Sequence, residues 1–164
     1  MKYFENAIYT YFAEKNALEF IETVQNEYPK SKEGNFCKKN LSSKFEYINL
    51  IPKLLFGFSD QVDGDMPIIT WVYDNTSHDT YWHLDSESDD SDYHVTVIAY
   101  LKIDKSGGGK FLTEQKTTTI DTGSVIVFPS TELHAADKYK SKIPRIFLKW
   151  IFKVDKKVAE SFRD

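Results

Sequence analysis

Two histidines and a carboxylate stand where they could hold a metal. His83 and Asp85 are two residues apart in Tyr81-Trp-His-Leu-Asp85, and His134 follows far downstream in Thr131-Glu-Leu-His134. On an extended segment residues i and i+2 project from one face, so this imidazole and carboxylate point at a common spot. A second imidazole from a distant strand would complete two histidines and one carboxylate on one side of a metal. That arrangement suits non-haem Fe(II) and leaves the opposite coordination positions open. His134 is the natural third ligand. The two other histidines read differently: His78 lies in the turn-like Asp74-Asn-Thr-Ser-His78 as a surface residue, and His94 opens a strand as a structural histidine.

Glu87, Asp89, Asp90 and Asp92 crowd the same stretch. Several hard carboxylates would suit calcium, but the run lacks the D-x-[DN]-x-[DN]-G-x5-E spacing of an EF-hand loop. The acidic 86–92 loop is expected to be a solvated rim, able to attract a basic substrate.

Open metal positions call for a co-substrate, and one with two carboxylates would need a cation at its far end. Arg is the best bidentate carboxylate donor. Arg145 opens the otherwise apolar Arg145-Ile-Phe-Leu-Lys-Trp-Ile-Phe152. It is either an edge charge or a buried anchor. Lys149, four residues on and on the same strand face, either pairs with an acid, reaches a rim, or competes with Arg145 as the anchor.

The elements that position these residues are mostly strands. Residues 6–28 read as helical, with Ala17, Leu18, Ile21 and Val24 at helical spacing and Pro29 marking an end. Residues 30–43 read as loop, 45–50 as a strand, and 52–58 as a short helix or turn. From Pro67 onward the pattern is β: 67–73, 94–103, 110–113, 116–120, 125–128 and 143–154. Gly107-Gly108-Gly109 reads as a hairpin turn; it lacks the spacing of a phosphate loop and joins two strands. Short strands punctuated by turns imply a sandwich or barrel. The expected fold is mainly β with N-terminal helices, a jelly-roll barrel. Residues 1–60 would form a helical support region and 67–154 the barrel core, within a single domain over 1–164.

Composition bounds the function. The 164 residues are 41% hydrophobic and 15% aromatic, a globular balance. A net charge of −4 argues against a generic nucleic-acid surface. One cysteine, Cys37, excludes an internal disulfide and a cysteine-rich zinc site. It favours a reducing, cytoplasmic setting. No apolar run is long enough to span a bilayer.

The order Tyr81-Trp-His-Leu-Asp85, His94–Ile103, Gly107-Gly-Gly-Lys-Phe-Leu112, then Gly123–Phe152 with His134 and Arg145 resembles the Fe(II)/2-oxoglutarate-dependent dioxygenases. Within that superfamily it is most similar to the prolyl 4-hydroxylase-like branch. The resemblance covers residues 67–154. It implies the double-stranded β-helix form of the jelly roll, with His83, Asp85 and His134 as Fe(II) ligands and Arg145 paired with the distal carboxylate of 2-oxoglutarate. Tyr100 matches a tyrosine that helps hold that carboxylate. Thr96, four residues earlier on the same face, is a second contact. Tyr73 matches a position lining the 2-oxoglutarate pocket or else packs in the core, and Tyr81 and Trp82 either line the mouth or pack in the core. Three lysines (138, 140 and 142) make the His134–Arg145 connection longer and more basic than the family's minimal pattern.

The implied activity hydroxylates a C–H bond with O2, releasing succinate and CO2, and ascorbate would support it. A prolyl or other peptidyl residue is the first-choice substrate. Asp85 favours hydroxylation over the halogenation seen when glycine replaces the family carboxylate. The alternative is a cupin-like module that binds a small ligand or metal without turnover.

Overall fold

The computed structural model of the chain describes residues 1–11, 19–20, 22–23, 36–40, 50–62, 67–76, 81–86 and 93–163. Nine strands lie among them. They are β1 (Lys2–Phe4), β2 (Phe36–Asn40), β3 (Ile68–Asp74), β4 (Tyr93–Lys102), β5 (Lys110–Thr113), β6 (Thr117–Thr119), β7 (Val125–Pro129), β8 (His134–Ala136) and β9 (Lys140–Val154). Short helices α1 (Ala7–Tyr11), α2 (Leu50–Phe56) and α3 (Lys156–Ser161) accompany them. None of the described helices is long and apolar enough to cross a membrane.

The strands form two antiparallel sheets. The major sheet has six strands in the order β1-β7-β4-β9-β3-β2, and the minor sheet has three in the order β6-β5-β8. Two-residue alternation along the central strands divides the major sheet into two apolar faces. Val95, Val97, Ala99 and Leu101 of β4, with Ile146, Leu148, Trp150 and Phe152 of β9, pack on the helix side against Ile8, Ile51, Phe58 and Phe162. Ile98 and Tyr100 of β4 and Ile126 and Phe128 of β7 turn the other way and meet Phe111 of the minor sheet. The space between the sheets is the inside of a jelly roll, and the side chains at issue point into it.

Several elements differ from the sequence expectation. Residues 36–40 are not loop but an edge strand on β3. The two lysines in Phe-Cys-Lys-Lys-Asn disguise it, although charged residues are common on edges that must not recruit another strand. β1 and β8 were not legible as strands, being three residues each. α3 follows β9 with Asp155 at its N-cap. The expected strand over 45–50 and the helical positions Ala17, Leu18, Ile21 and Val24 lie outside the described residues, except that Leu50 opens α2.

Candidate metal centre and anion pocket

His83 and His134 meet through their backbones. The His83 amide donates to the His134 carbonyl at 3.0 Å and the His134 amide returns the bond at 3.1 Å, an antiparallel bridge that adds His83 to the edge of the minor sheet. Asp85 is fixed two residues on, where its amide and that of Ser86 both donate to the Ser130 carbonyl (2.9 and 3.1 Å). The Ser130 amide in turn donates to His94 of β4. Ser130 thus ties the segment bearing His83 and Asp85 to the major sheet. It is fully buried, and the sequence reading missed it; its one signal was a small polar residue between an apolar strand and a candidate ligand.

The side chains converge. His83, Asp85 and His134 each offer a ligand atom within 4.8 Å of the others, the one such group among the described residues. His83 Nε2 lies 3.5 Å from Asp85 Oδ1, and His134 Nε2 lies 3.6 Å from Asp85 Oδ2. Each imidazole donates its Nδ1 proton to a carbonyl, that of Tyr81 (3.2 Å) or that of Glu132 (2.9 Å). These bonds place the proton on Nδ1 and leave the Nε2 lone pair facing the carboxylate, as metal-binding histidines are usually held. The His134 ring is stacked on Phe111 and tilted against Phe128. His83 is the open side, its side chain 37% exposed against 4% for His134.

Asp85 is the best-supported group here. Its side chain is 1% exposed. Thr96 donates to Oδ2 at 2.8 Å and Lys149 donates to Oδ1 at 2.6 Å. Burial pushes its carboxyl up, but the Lys149 ammonium and the other neighbouring donors outweigh burial and hold it below its ordinary value. Burial pushes the His134 imidazole down, against the pull of Asp85, so it stays neutral near pH 7. An ionised carboxylate and neutral imidazole are the forms a metal binds.

Arg145 lies on the same inner face, four residues from Lys149 on β9. It is buried, 3% exposed. Nη1 donates to the Asp137 carbonyl at a long 3.4 Å, the guanidinium stands 5.1 Å from the centre of the Tyr139 ring, and Nε has no hydrogen-bond partner. Tyr139 is itself pinned, donating through its hydroxyl to Ile143 and accepting from the Asp104 amide. The glycine turn holds this frame from below: a Cβ at Gly108, where φ is +124°, would come within 2.2 Å of the Lys138 carbonyl. Burial depresses the Arg145 pKa, opposed by Tyr100 and Tyr139, while burial pushes the Tyr100 hydroxyl up to about 12. Arg145 is therefore a buried cation rather than an edge charge.

Two expected contacts are placed elsewhere. The Thr96 hydroxyl is engaged by Asp85 and by Ser130 Oγ at 2.9 Å. Tyr73 packs against the helix-side core. Val72, paired with Arg145, precedes it, and alternation turns Tyr73 away from the inner face. Tyr81 is 77% and Trp82 41% exposed, at the mouth rather than in the core. His94 makes a structural bond, its Nδ1 lying 3.0 Å from Ser86 Oγ. His78 and the acidic residues Glu87, Asp89, Asp90 and Asp92 lie outside the described residues.

No protein-family model and no curated protein sequence matches the chain. Solved structures do. A viral collagen prolyl hydroxylase of Paramecium Bursaria Chlorella virus-1, in a 2OG complex, superposes with a TM-score of 0.61 at 19% identity, covering 93% of this chain and 96% of that one. A Trichoplax adhaerens prolyl hydroxylase, in complex with a hypoxia inducible factor peptide fragment, gives 0.60 at 16% identity over 99% and 87%. An oxidoreductase of the 2OG-Fe(II) oxygenase family from Burkholderia pseudomallei gives 0.57 at 15% identity over 82% and 77%. The chain has the jelly-roll fold of the 2OG-Fe(II) oxygenases, in the form taken by prolyl hydroxylases.

Proposed function

We propose that this chain is an Fe(II)- and 2-oxoglutarate-dependent oxygenase that hydroxylates a C–H bond. One observation carries the reading. A His-Asp-His cluster with both Nε2 atoms turned toward Asp85 meets, through Lys149, the inner strand face of β9 that also carries a buried arginine whose Nε has no partner. The donor set fits Fe(II), two imidazoles and one carboxylate on one side. The orphaned guanidinium donor fits the far carboxylate of a dicarboxylic acid.

His83, Asp85 and His134 would hold the iron, which when bound supplies the oxidising chemistry with O2 and 2-oxoglutarate. This chain's residues orient the parts. Thr96 and Ser130 fix the carboxylate; the carbonyls of Tyr81 and Glu132 fix the imidazole tautomers. Arg145 would pair with the distal carboxylate of 2-oxoglutarate and Tyr100, protonated at any ordinary pH, would donate to it. Phe111, Phe128 and Phe147 line the space around them and exclude water.

The substrate reading is a prolyl or other peptidyl residue. An open hollow of about 530 Å³ lies on the minor sheet, lined by Trp82, Leu112, Thr113, Glu114, Thr117 and Leu133. Trp82 and Leu133 are the chain neighbours of His83 and His134. The hollow is larger than one amino-acid side chain and has both apolar walls and a carboxylate. Two structures of this fold are prolyl hydroxylases, one with a peptide fragment bound.

The test is release of succinate from 2-oxoglutarate under Fe(II), O2 and ascorbate, followed by a peptide screen for a gain of one oxygen by mass spectrometry. Wild type should release succinate even without a substrate, and Asp85→Ala should release none. Metal and 2-oxoglutarate binding without any succinate would instead identify a ligand-binding barrel.

A further inference from the structure

Lys149 has no role in the chemistry described so far, and its position is costly. It sits in the middle of β9, between Ile98 of β4 and Ile68 of β3. Its side chain enters the inner face and is only 22% exposed. A lysine so placed is rare unless paired, and the partner here is Asp85, with Nζ 2.6 Å from Oδ1. That oxygen is also the one 3.5 Å from His83 Nε2. The ammonium therefore bonds the carboxylate edge that a metal would share with His83. Among the described residues Lys149 is the one lysine or arginine paired with Asp85, and a buried carboxylate without a countercharge is strongly disfavoured.

We propose that Lys149 is the resident cation of the metal site, neutralising Asp85 when the site is empty and having to leave that carboxylate, or repel the ion, when a divalent metal enters. The inference rests on the metal-site part of the proposed function. Lys149 then has two opposite effects. It stabilises the empty protein, and it weakens metal binding, because a full positive charge stays within a few ångströms of the incoming ion. A site with this device would remain folded without metal and exchange its metal readily.

The experiment uses Mn(II) as the probe on chelator-stripped protein. Affinity is read by electron paramagnetic resonance of the free ion or by calorimetry, and apo stability by thermal melting in chelator. Lys149→Met should bind Mn(II) more tightly, on the order of tenfold or more for a like charge removed from a partly buried site, and should melt lower in chelator. Lys149→Gln keeps a donor but no charge, so it should also bind more tightly and serves if the methionine variant fails to fold. Lys149→Arg should stay near wild type. If both uncharged variants bind Mn(II) no more tightly than wild type, Lys149 is an ordinary supporting donor and the proposal falls, while the metal site stands. If neither wild type nor any variant binds Mn(II), the site reading falls with it.

Discussion

The inner face of β9 carries two cations four residues apart, and the chain treats them in opposite ways. Lys149 meets Asp85 in a 2.6 Å ion pair, so both charges of that pair have a protein partner. Arg145 is more deeply buried, yet it has one long bond to a carbonyl, an aromatic face and a donor without a partner. An internally balanced end can fold and wait. An end left one anion short is less stable than it could be, and an outside anion would make up the deficit. On the proposed function, the metal end is balanced by the protein and the anchor end by 2-oxoglutarate.

The largest effects should come from emptying each end in turn. Asp85→Ala should abolish both divalent-metal binding and succinate release. Arg145→Met should leave Mn(II) affinity unchanged and weaken 2-oxoglutarate binding to the metal-loaded protein. Truncating one partner of a buried charge pair costs about 2–5 kcal/mol, so the Kd should rise by roughly thirty-fold or more. The same variant should melt no lower than wild type in the absence of ligand, since a buried, poorly paired cation has been replaced by an apolar chain of similar length. A marked loss of apo stability in Arg145→Met would show that the arginine is structural, and the contrast between the two ends would fail.

Extremes of pH should separate the ends. Burial depresses the His134 pKa, so below about pH 6.5, the ordinary histidine value, the unfolded chain takes up a proton that the folded apo protein refuses. Stability therefore falls as pH drops from there toward the lowered folded value. Asp85 extends the loss further down: its folded pKa is depressed, so its contribution is present above the ordinary carboxylate range and disappears below it. Tyr100 has the reverse sign. Its pKa rises from 10.0 to about 12 on folding, so the unfolded chain loses a proton first and stability falls as pH climbs through that interval. Urea unfolding across pH should show the acid slope shrink in His134→Asn and the alkaline slope shrink in Tyr100→Phe. An acid slope that His134→Asn leaves intact would place the titrating group elsewhere.

Much of the placing of this site's side chains is legible in the sequence, and the reasons differ by residue. His83 and Asp85 could be paired because two-residue spacing on an extended segment fixes facing without knowledge of the partner strands, and His134 was named from its place after an apolar strand and a turn. β4 was readable because its long run of β-branched and aromatic residues suits a strand packed on both faces. Arg145 showed as an isolated charge in an apolar strand, but whether it or Lys149 faced an anion depended on what lay opposite, across 64 residues of chain in the case of Asp85 and Lys149. Ser130 was hidden because its role runs through its backbone carbonyl, which any residue possesses. For Tyr73 likeness of position suggested the pocket while core packing stayed open, and alternation past Val72 turns it to the helix-side core. Sequence pattern reveals which way a side chain points; it does not reveal which of two nearby charges it meets.

Tyr100→Phe should weaken 2-oxoglutarate binding without touching Mn(II) affinity. A hydrogen bond to a charged group is worth about 1.5–3 kcal/mol, so the expected rise in Kd is roughly ten- to a hundred-fold. The fold should persist, because the ring stays packed against Phe147.

The smallest effect decides to which end Thr96 belongs. Its place on β4, four residues before Tyr100, suggested a second contact to the distal carboxylate. Its hydroxyl instead lies 2.8 Å from Asp85 Oδ2 and 2.9 Å from Ser130 Oγ. Outer donors of this kind typically alter metal affinity ten- to a hundred-fold. Asp85 keeps Lys149, the Ser130 carbonyl still holds its backbone, and valine preserves the shape, so Thr96→Val should fall near the low end, about tenfold in Mn(II) affinity. At saturating metal the 2-oxoglutarate Kd should be unchanged. If the variant instead keeps its Mn(II) affinity and loses 2-oxoglutarate, Thr96 leaves Asp85 once the pocket is filled. The two ends would then share a residue, and loading one would alter the other.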